Sequence, residues 1–420
     1  MTIELSRPEA PVASGSVAVA GGAEAPPVSS LSPLRLVAAA AVLAATFAAP
    51  AFFAEPTGEG RAIGFSVLLG AVFGIVLQRS RFCFLCHWRD FQDRRDPRGV
   101  LAILTALAVG LLVYQVVISA WVPVVRPGAL PPNAHIGPVS PALALAAAVF
   151  GIGMALSGSC LSAHLYRIGE GSLASPFALL GALAGFGLGF ATWNPLYLAL
   201  ISEGRVLWLP HLVGYGGALV GALVVLAILA AVVIKLGRSP AGRAAAPLSL
   251  GSVARQALLE RWPAALGGAA VGVLSGLYFL RVAPLGVTAE LGSLARTAGA
   301  GAGLLPETLH GLDALRGCAT VVKTALLSPN GAFVAALVAG SFAAALAAGQ
   351  FRPRRPSGAE IVRALGGGVL MGWGAMIGLG CTVGVLLSGI HAGAVSGWVF
   401  LVFVTAGAAA TLALRRRFGF

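Results

Sequence analysis

Ten long runs of apolar residues leave this chain little choice of fold. An α-helix rises about 1.5 Å per residue, so roughly 20 apolar residues cross a hydrocarbon core. The runs are Leu34 to Phe53, Ile63 to Leu77, Val100 to Val122, Pro141 to Leu156 and Leu173 to Ala191, then Leu212 to Ile234, Pro263 to Leu280, Ala332 to Ala348, Val362 to Leu379 and Val395 to Leu414. Only 10% of the 420 residues are charged and 58% are hydrophobic. A soluble domain carries about 25% charged residues. The expectation is an all-α polytopic membrane protein of about ten transmembrane helices.

The net charge of +13 would suit a nucleic-acid partner if the basic residues formed one surface, but they fall in short segments between apolar runs. They read instead as topology signals. Arg79 to Arg98, Lys235 to Arg261, Arg352 to Arg355 and Arg415 to Arg417 all land on one side of a ten-span chain, which the positive-inside rule makes cytoplasmic. Both termini then lie in the cytoplasm of a bacterium, with the chain in its inner membrane. The Pro123 to Pro138 and Thr192 to Pro210 loops hold only Arg126 and Arg205, as an outer face should.

Residues 1–33 are rich in Ala, Pro, Ser and Gly without helical period and read as a disordered tail. Residues 34–60 add one span ahead of the main body, and 61–420 form the membrane domain. Arg281 to Asn330 is a semi-polar stretch interrupted by glycine, expected to form short or re-entrant helices on the outer side.

Two segments repeat. Gly153-Met-Ala-Leu-Ser-Gly-Ser-Cys160 matches Gly374-Ala-Met-Ile-Gly-Leu-Gly-Cys381, and Ser175 and Ser396 each follow their cysteine by fifteen residues. Gly70 and Gly74 align more weakly with Gly268 and Gly272. In the ten-span topology the matched spans run in opposite directions, which makes halves of about 61–191 and 262–414 an inverted repeat. Such halves, with helices interrupted by glycine, place a substrate site near the midplane. The competing reading is that these glycines only let helices pack closely.

The five cysteines are Cys83, Cys86, Cys160, Cys318 and Cys381, an odd number and mostly far apart, so a disulfide framework is not expected. A thiol is soft and polarisable and suits a sulfur substrate better than a hard oxyanion. Cys83-Phe-Leu-Cys86 has redox or metal spacing, yet no second pair or histidine cluster completes a zinc site, and no cofactor motif is present. Cys86 reads as structural. Arg89 with Asp90 and Arg95 with Asp96 read as loop ion pairs. Lys323 is a secondary candidate because it sits in a short apolar helix, Ala319 to Leu327, where it must reach water or an anion. His164 and His391 follow the two repeated cysteines and could relay protons, with core or loop positions as the alternative.

Three segments, SGSCLSAHLYRIGEGSLASP, GWGAMIGLGCTVGVLLSGIHAGAVSGW and LQRSRFCFLCHWRDF, resemble the YeeE/YedE sulfur-transport family. The likeness covers most of residues 61–414 and leaves out the tail and first span. It implies a nine-helix core with an hourglass-like inverted-repeat body, and uptake of thiosulfate or a related reduced sulfur anion. It also implies a central path lined by Cys83, Cys160 and Cys381, along which the anion is relayed by transient S–H···S hydrogen bonds. No catalytic residue is assigned and the chain is read as a non-enzyme. A cytoplasmic sulfur-carrier protein could receive the cargo. The alternatives are a selenium-compound transporter and a membrane sulfurtransferase in which Cys83 or Cys160 becomes a persulfide.

Overall fold

The computed structural model describes residues 32–53, 58–126, 128–238, 259–306, 308–312, 315, 320–323 and 327–418. The tail expected at 1–33 lies almost wholly outside these residues, as does Cys318.

The described chain is nearly all helix. α1 (Pro33–Phe53) precedes α2 (Gly58–Ser80), α3 (Phe84–Arg94), α4 (Arg98–Trp121), α5 (Pro141–Ser157), α6 (Leu161–Gly169) and α7 (Ser175–Leu196). Then come α8 (Leu209–Leu236), α9 (Ala264–Arg281), α10 (Val287–Gly301), α11 (Pro329–Ala347) and α12 (Gly358–Ile377). The short α13 (Thr382–His391), mostly a π-helical turn, and α14 (Val395–Phe418) complete it. Among the described residues nine helical runs are long and apolar enough to cross a membrane, or ten when α12 and α13, bent by 42°, count as one broken span. The protein is a multi-pass membrane protein.

Packing follows small residues. α2 lies against α11, and α4 against α9. A Cβ added at Gly70 or Gly74 would strike the carbonyls of Phe333 or Leu337 on α11; one added at Gly268 or Gly272 would strike those of Ala102 or Ala106 on α4. Without a hydrophobic drive between helices in lipid, such backbone approach is what holds them together. α5 crosses α12 at the centre, with α7 on α12 and α14 on α5. Gly153 abuts the Gly367 carbonyl and Gly374 the Ala146 carbonyl, so the repeated glycines do serve close packing. α1 stays at the rim, against α11 and α2.

The four basic clusters meet on one face. Trp262 donates its backbone N–H to the Arg79 carbonyl at 3.1 Å, Arg238 to the Arg95 carbonyl at 2.7 Å, and Arg352 to the Glu170 carbonyl at 3.0 Å. Arg416 pairs with Asp93 at 3.2 Å. On the opposite face a two-stranded ladder joins Pro138 to Val206 and Val139 to Arg205, and the Trp208 indole donates to the Ala392 carbonyl at 2.7 Å.

The structure corrects three local expectations. The basic segment after Arg79 holds the amphipathic helix α3, whose Phe84, Leu85 and Phe91 are buried. Arg89 does approach Asp90, at 3.8 Å, but Asp96 pairs with Arg98 at 2.6 Å, because Arg98 opens α4 two residues on and reaches both carboxylate oxygens. Residues 320–323 form no helix; they lie irregularly against α10, where Thr297 Oγ1 takes the Lys323 N–H at 2.9 Å.

Candidate functional site

Three helix breaks are built alike. α2, α5 and α12 end, and two residues before a cysteine the chain enters the left-handed region at Arg81 (φ 50°), Gly158 (φ 84°) and Leu379 (φ 59°). Only glycine adopts this freely; at Arg81 and Leu379 it costs about 1 kcal/mol or more, so tertiary contacts must hold it. Cys83, Cys160 and Cys381 follow in extended backbone and begin α3, α6 and α13. Each thiol thus stands where unpaired backbone N–H groups and the positive end of a helix dipole favour an anion. The Val383 N–H donates to Cys381 Sγ at 3.4 Å.

The thiols are buried, at 1%, 2% and 1% exposure, and free. Cys160 Sγ lies 3.9 Å from Cys83 Sγ and 3.4 Å from Ser162 Oγ, and Cys83 Sγ lies 3.7 Å from Ser159 Oγ. A cavity of about 20 Å³ joins the neighbourhoods of all three: Phe82 and Phe84 flank Cys83, Cys160 itself lines it, and Thr382 and Val383 follow Cys381. It has room for one water-sized centre. Apart from Ser162, its remaining wall is apolar, with Phe73, Leu77 and Ile103.

On the basic face lies a separate, open vestibule of about 360 Å³ lined by Arg81, Arg167, Gln350, Arg352 and Arg354, with Glu170 among them. Arg167 lines the vestibule and reaches toward the cysteines. Its guanidinium donates to Cys86 Sγ at 3.2 Å and, at 3.5 Å, to the Gly158 carbonyl of the break before Cys160. Cys86, read as structural, therefore sits on the basic side of the thiols. Gln78 and Arg79 brace the rim by donating to Gln350 Oε1 at 2.8 and 3.0 Å.

The secondary candidates are placed elsewhere. His164 is fixed between Ser175 Oγ and Ser157 Oγ, both at 3.2 Å. His391 meets the Ala106 carbonyl at 3.1 Å and Ser275 Oγ at 3.5 Å and packs on Tyr114. Both are satisfied inside the helix bundle. Lys323 forms a buried ion pair with Glu290, whose other oxygen accepts from Ser328 Oγ at 2.9 Å. Sequence reasoning missed Arg167, Ser159 and Ser162 as neighbours of the thiols, although Arg167 is the one arginine of α6 and lies seven residues past Cys160.

A bundle of apolar helices broken at buried thiols, with an anion-attracting vestibule at one end, defines a membrane transporter. The comparisons give the family. The sulphur transport family matches residues 79–410, and the chain belongs to it. The chain is 28% identical over 362 residues to the thiosulfate transporter TsuA of Escherichia coli (strain K12), covering 81% of this chain and 91% of that protein. It is 28% identical over 361 residues to the thiosulfate transporter TsuA of Spirochaeta thermophila, covering 81% and 95%. The probable transporter YedE of Escherichia coli is 28% identical over 171 residues, 40% of this chain and 39% of that protein. α1 and most of α2 precede the matched region.

Proposed function

We propose that this protein takes up thiosulfate, or a closely related reduced sulfur anion, across a bacterial inner membrane, passing it by way of Cys381, Cys160 and Cys83 into the basic vestibule. One observation carries the reading: three buried thiols each stand at a helix N-terminus, and one narrow cavity is lined by Cys160 together with the chain neighbours of Cys83 and Cys381. The two TsuA relatives support the choice of cargo. Backbone N–H groups at the breaks take the place of water around the oxygens, and the thiols meet the soft terminal sulfur. Arg167 and its basic neighbours then draw the anion out on the far side.

The basic face is the cytoplasmic one, so both ends of the chain lie inside and the vestibule is where a sulfur-carrier protein docks. The two halves form an inverted repeat around α5 and α12. Supporting this, exchanging α2 for α9, α4 for α11 and α7 for α14 turns each main helix pair into another observed pair.

Uptake of labelled thiosulfate into vesicles containing only this protein tests the reading. Accumulation that excess thiosulfate suppresses and equimolar sulfate does not is the expected result. Failure to accumulate the label at any imposed proton gradient would overturn it.

A further inference from the structure

On the face opposite the vestibule, a second small cavity of about 10 Å³ lies next to the break that precedes Cys381. It is lined by His135, Ser140, Leu379 and Ser396 among others. Two N-termini of long helices converge on it, since Ser140 caps α5 and Ser396 lies in the first turn of α14. His135 and Ser396 are each 1% exposed, yet His135 Nδ1 and Ser396 Oγ have no hydrogen-bond partner among the described residues. Leaving a buried polar atom unpaired costs about 1–3 kcal/mol, so such atoms mark a place where something else completes the bonding.

The other ring nitrogen fixes the chemistry. His135 Nε2 lies 2.9 Å from the Leu379 carbonyl, which can only accept, so Nε2 carries a hydrogen. In the neutral ring Nδ1 is then an acceptor and repels an anion's oxygen. Only the imidazolium presents an N–H there.

The opposite face shows the matching arrangement. The left-handed residue before Cys160, Gly158, has its carbonyl held by the Arg167 guanidinium, and the left-handed residue before Cys381, Leu379, has its carbonyl held by His135. A permanent cation stands at the exit, and a titratable ring stands at the entrance.

We propose that His135 and Ser396 form an outer reception site at which the anion and one proton bind together, before the terminal sulfur reaches Cys381. The inference rests on the thiosulfate reading. His135 Nδ1–H and Ser396 Oγ–H donate to the sulfonate oxygens, and the proton comes from the outer solution and rides on the ring. With room for one water-sized centre, the cavity is smaller than the anion, so reception at this site requires the segment bearing His135 to yield. Burial lowers the free ring's pKa from its ordinary value, so the ring is neutral until the anion arrives. Among the described residues no carboxylate, guanidinium or ammonium lines the cavity from α5, α12, α13 or α14; Arg126, Glu203 and Arg205 on the outer connections and His211 in the first turn of α8 do not line it.

The test is calorimetric titration of the purified full-length protein with thiosulfate, in buffers of different ionisation enthalpy, at about pH 7 and about pH 8. Wild type should take up close to one proton per anion, and its affinity should fall by up to about tenfold over that unit of pH. His135→Gln, whose amide can still donate to Leu379, should take up none and show a flat profile. Ser396→Ala should bind more weakly while keeping the proton uptake. Binding by wild type without proton uptake, or unchanged uptake in His135→Gln, overturns the proposal while leaving the cargo reading intact. Absence of thiosulfate binding in wild type overturns both.

Discussion

Cys83 and Cys160, 77 residues apart in sequence and each at the start of a different helix, bring their sulfurs to 3.9 Å. Mild oxidation should therefore link these two. Peptide mapping after blocking free thiols would show the linked pair, and transport should stop and return on reduction. Oxidation that leaves Cys83 and Cys160 unlinked would contradict the prediction.

Arg167 lines the vestibule and donates to Cys86 Sγ and to the Gly158 carbonyl of the break before Cys160. Replacing it with Gln should slow transport by about tenfold or more, the scale of one lost charge-assisted hydrogen bond, and weaken its dependence on ionic strength. Arg354→Gln changes a side chain that is 64% exposed at the outer rim of the vestibule and should have a much smaller effect. Equal losses would mean that the vestibule acts only through its overall charge.

The Glu290 and Lys323 side chains are each 9% exposed and paired with each other. Breaking a buried pair strands a charge, at about 3–5 kcal/mol. Lys323→Met should lower the thermal midpoint of the purified protein sharply, whereas Glu290→Gln with Lys323→Met should recover most of the loss. A Lys323→Met protein of normal stability but defective transport would instead place Lys323 on the anion's route.

Much of this architecture was readable in the sequence because the bilayer imposes it. Apolar runs long enough to span it announced ten spans, and Gly70, Gly74, Gly268 and Gly272 announced close helix contact because only glycine permits it. Other features left no trace in residue type. α3 is short and flanked by arginines, so it reads as a loop until Phe84, Leu85 and Phe91 find a core to bury against. The left-handed turns at Arg81 and Leu379 occur at residues that seldom adopt them and exist only through tertiary contacts such as His135 with Leu379. Glu290 and Lys323 find each other at a sequence separation of 33, which no periodicity records.

Orientation can be tested directly. Pro132→Cys and Arg355→Cys both replace exposed residues, on the two opposite faces. In whole cells a membrane-impermeant maleimide should label the first and not the second, since the basic face is assigned to the cytoplasm. Labelling in the reverse pattern would invert the direction of the path.

The central claim is that the three N-terminal thiols carry the anion, and single replacement measures it most directly. Labelled thiosulfate uptake should be compared in vesicles holding equal amounts of folded wild type, Cys83→Ala, Cys160→Ala and Cys381→Ala, with Cys86→Ala beside them. Each of the first three variants should lose about tenfold or more of the initial rate, equivalent to roughly 1.4 kcal/mol at the barrier, with Cys86→Ala less affected. Wild-type rates in both Cys160→Ala and Cys381→Ala would contradict the account.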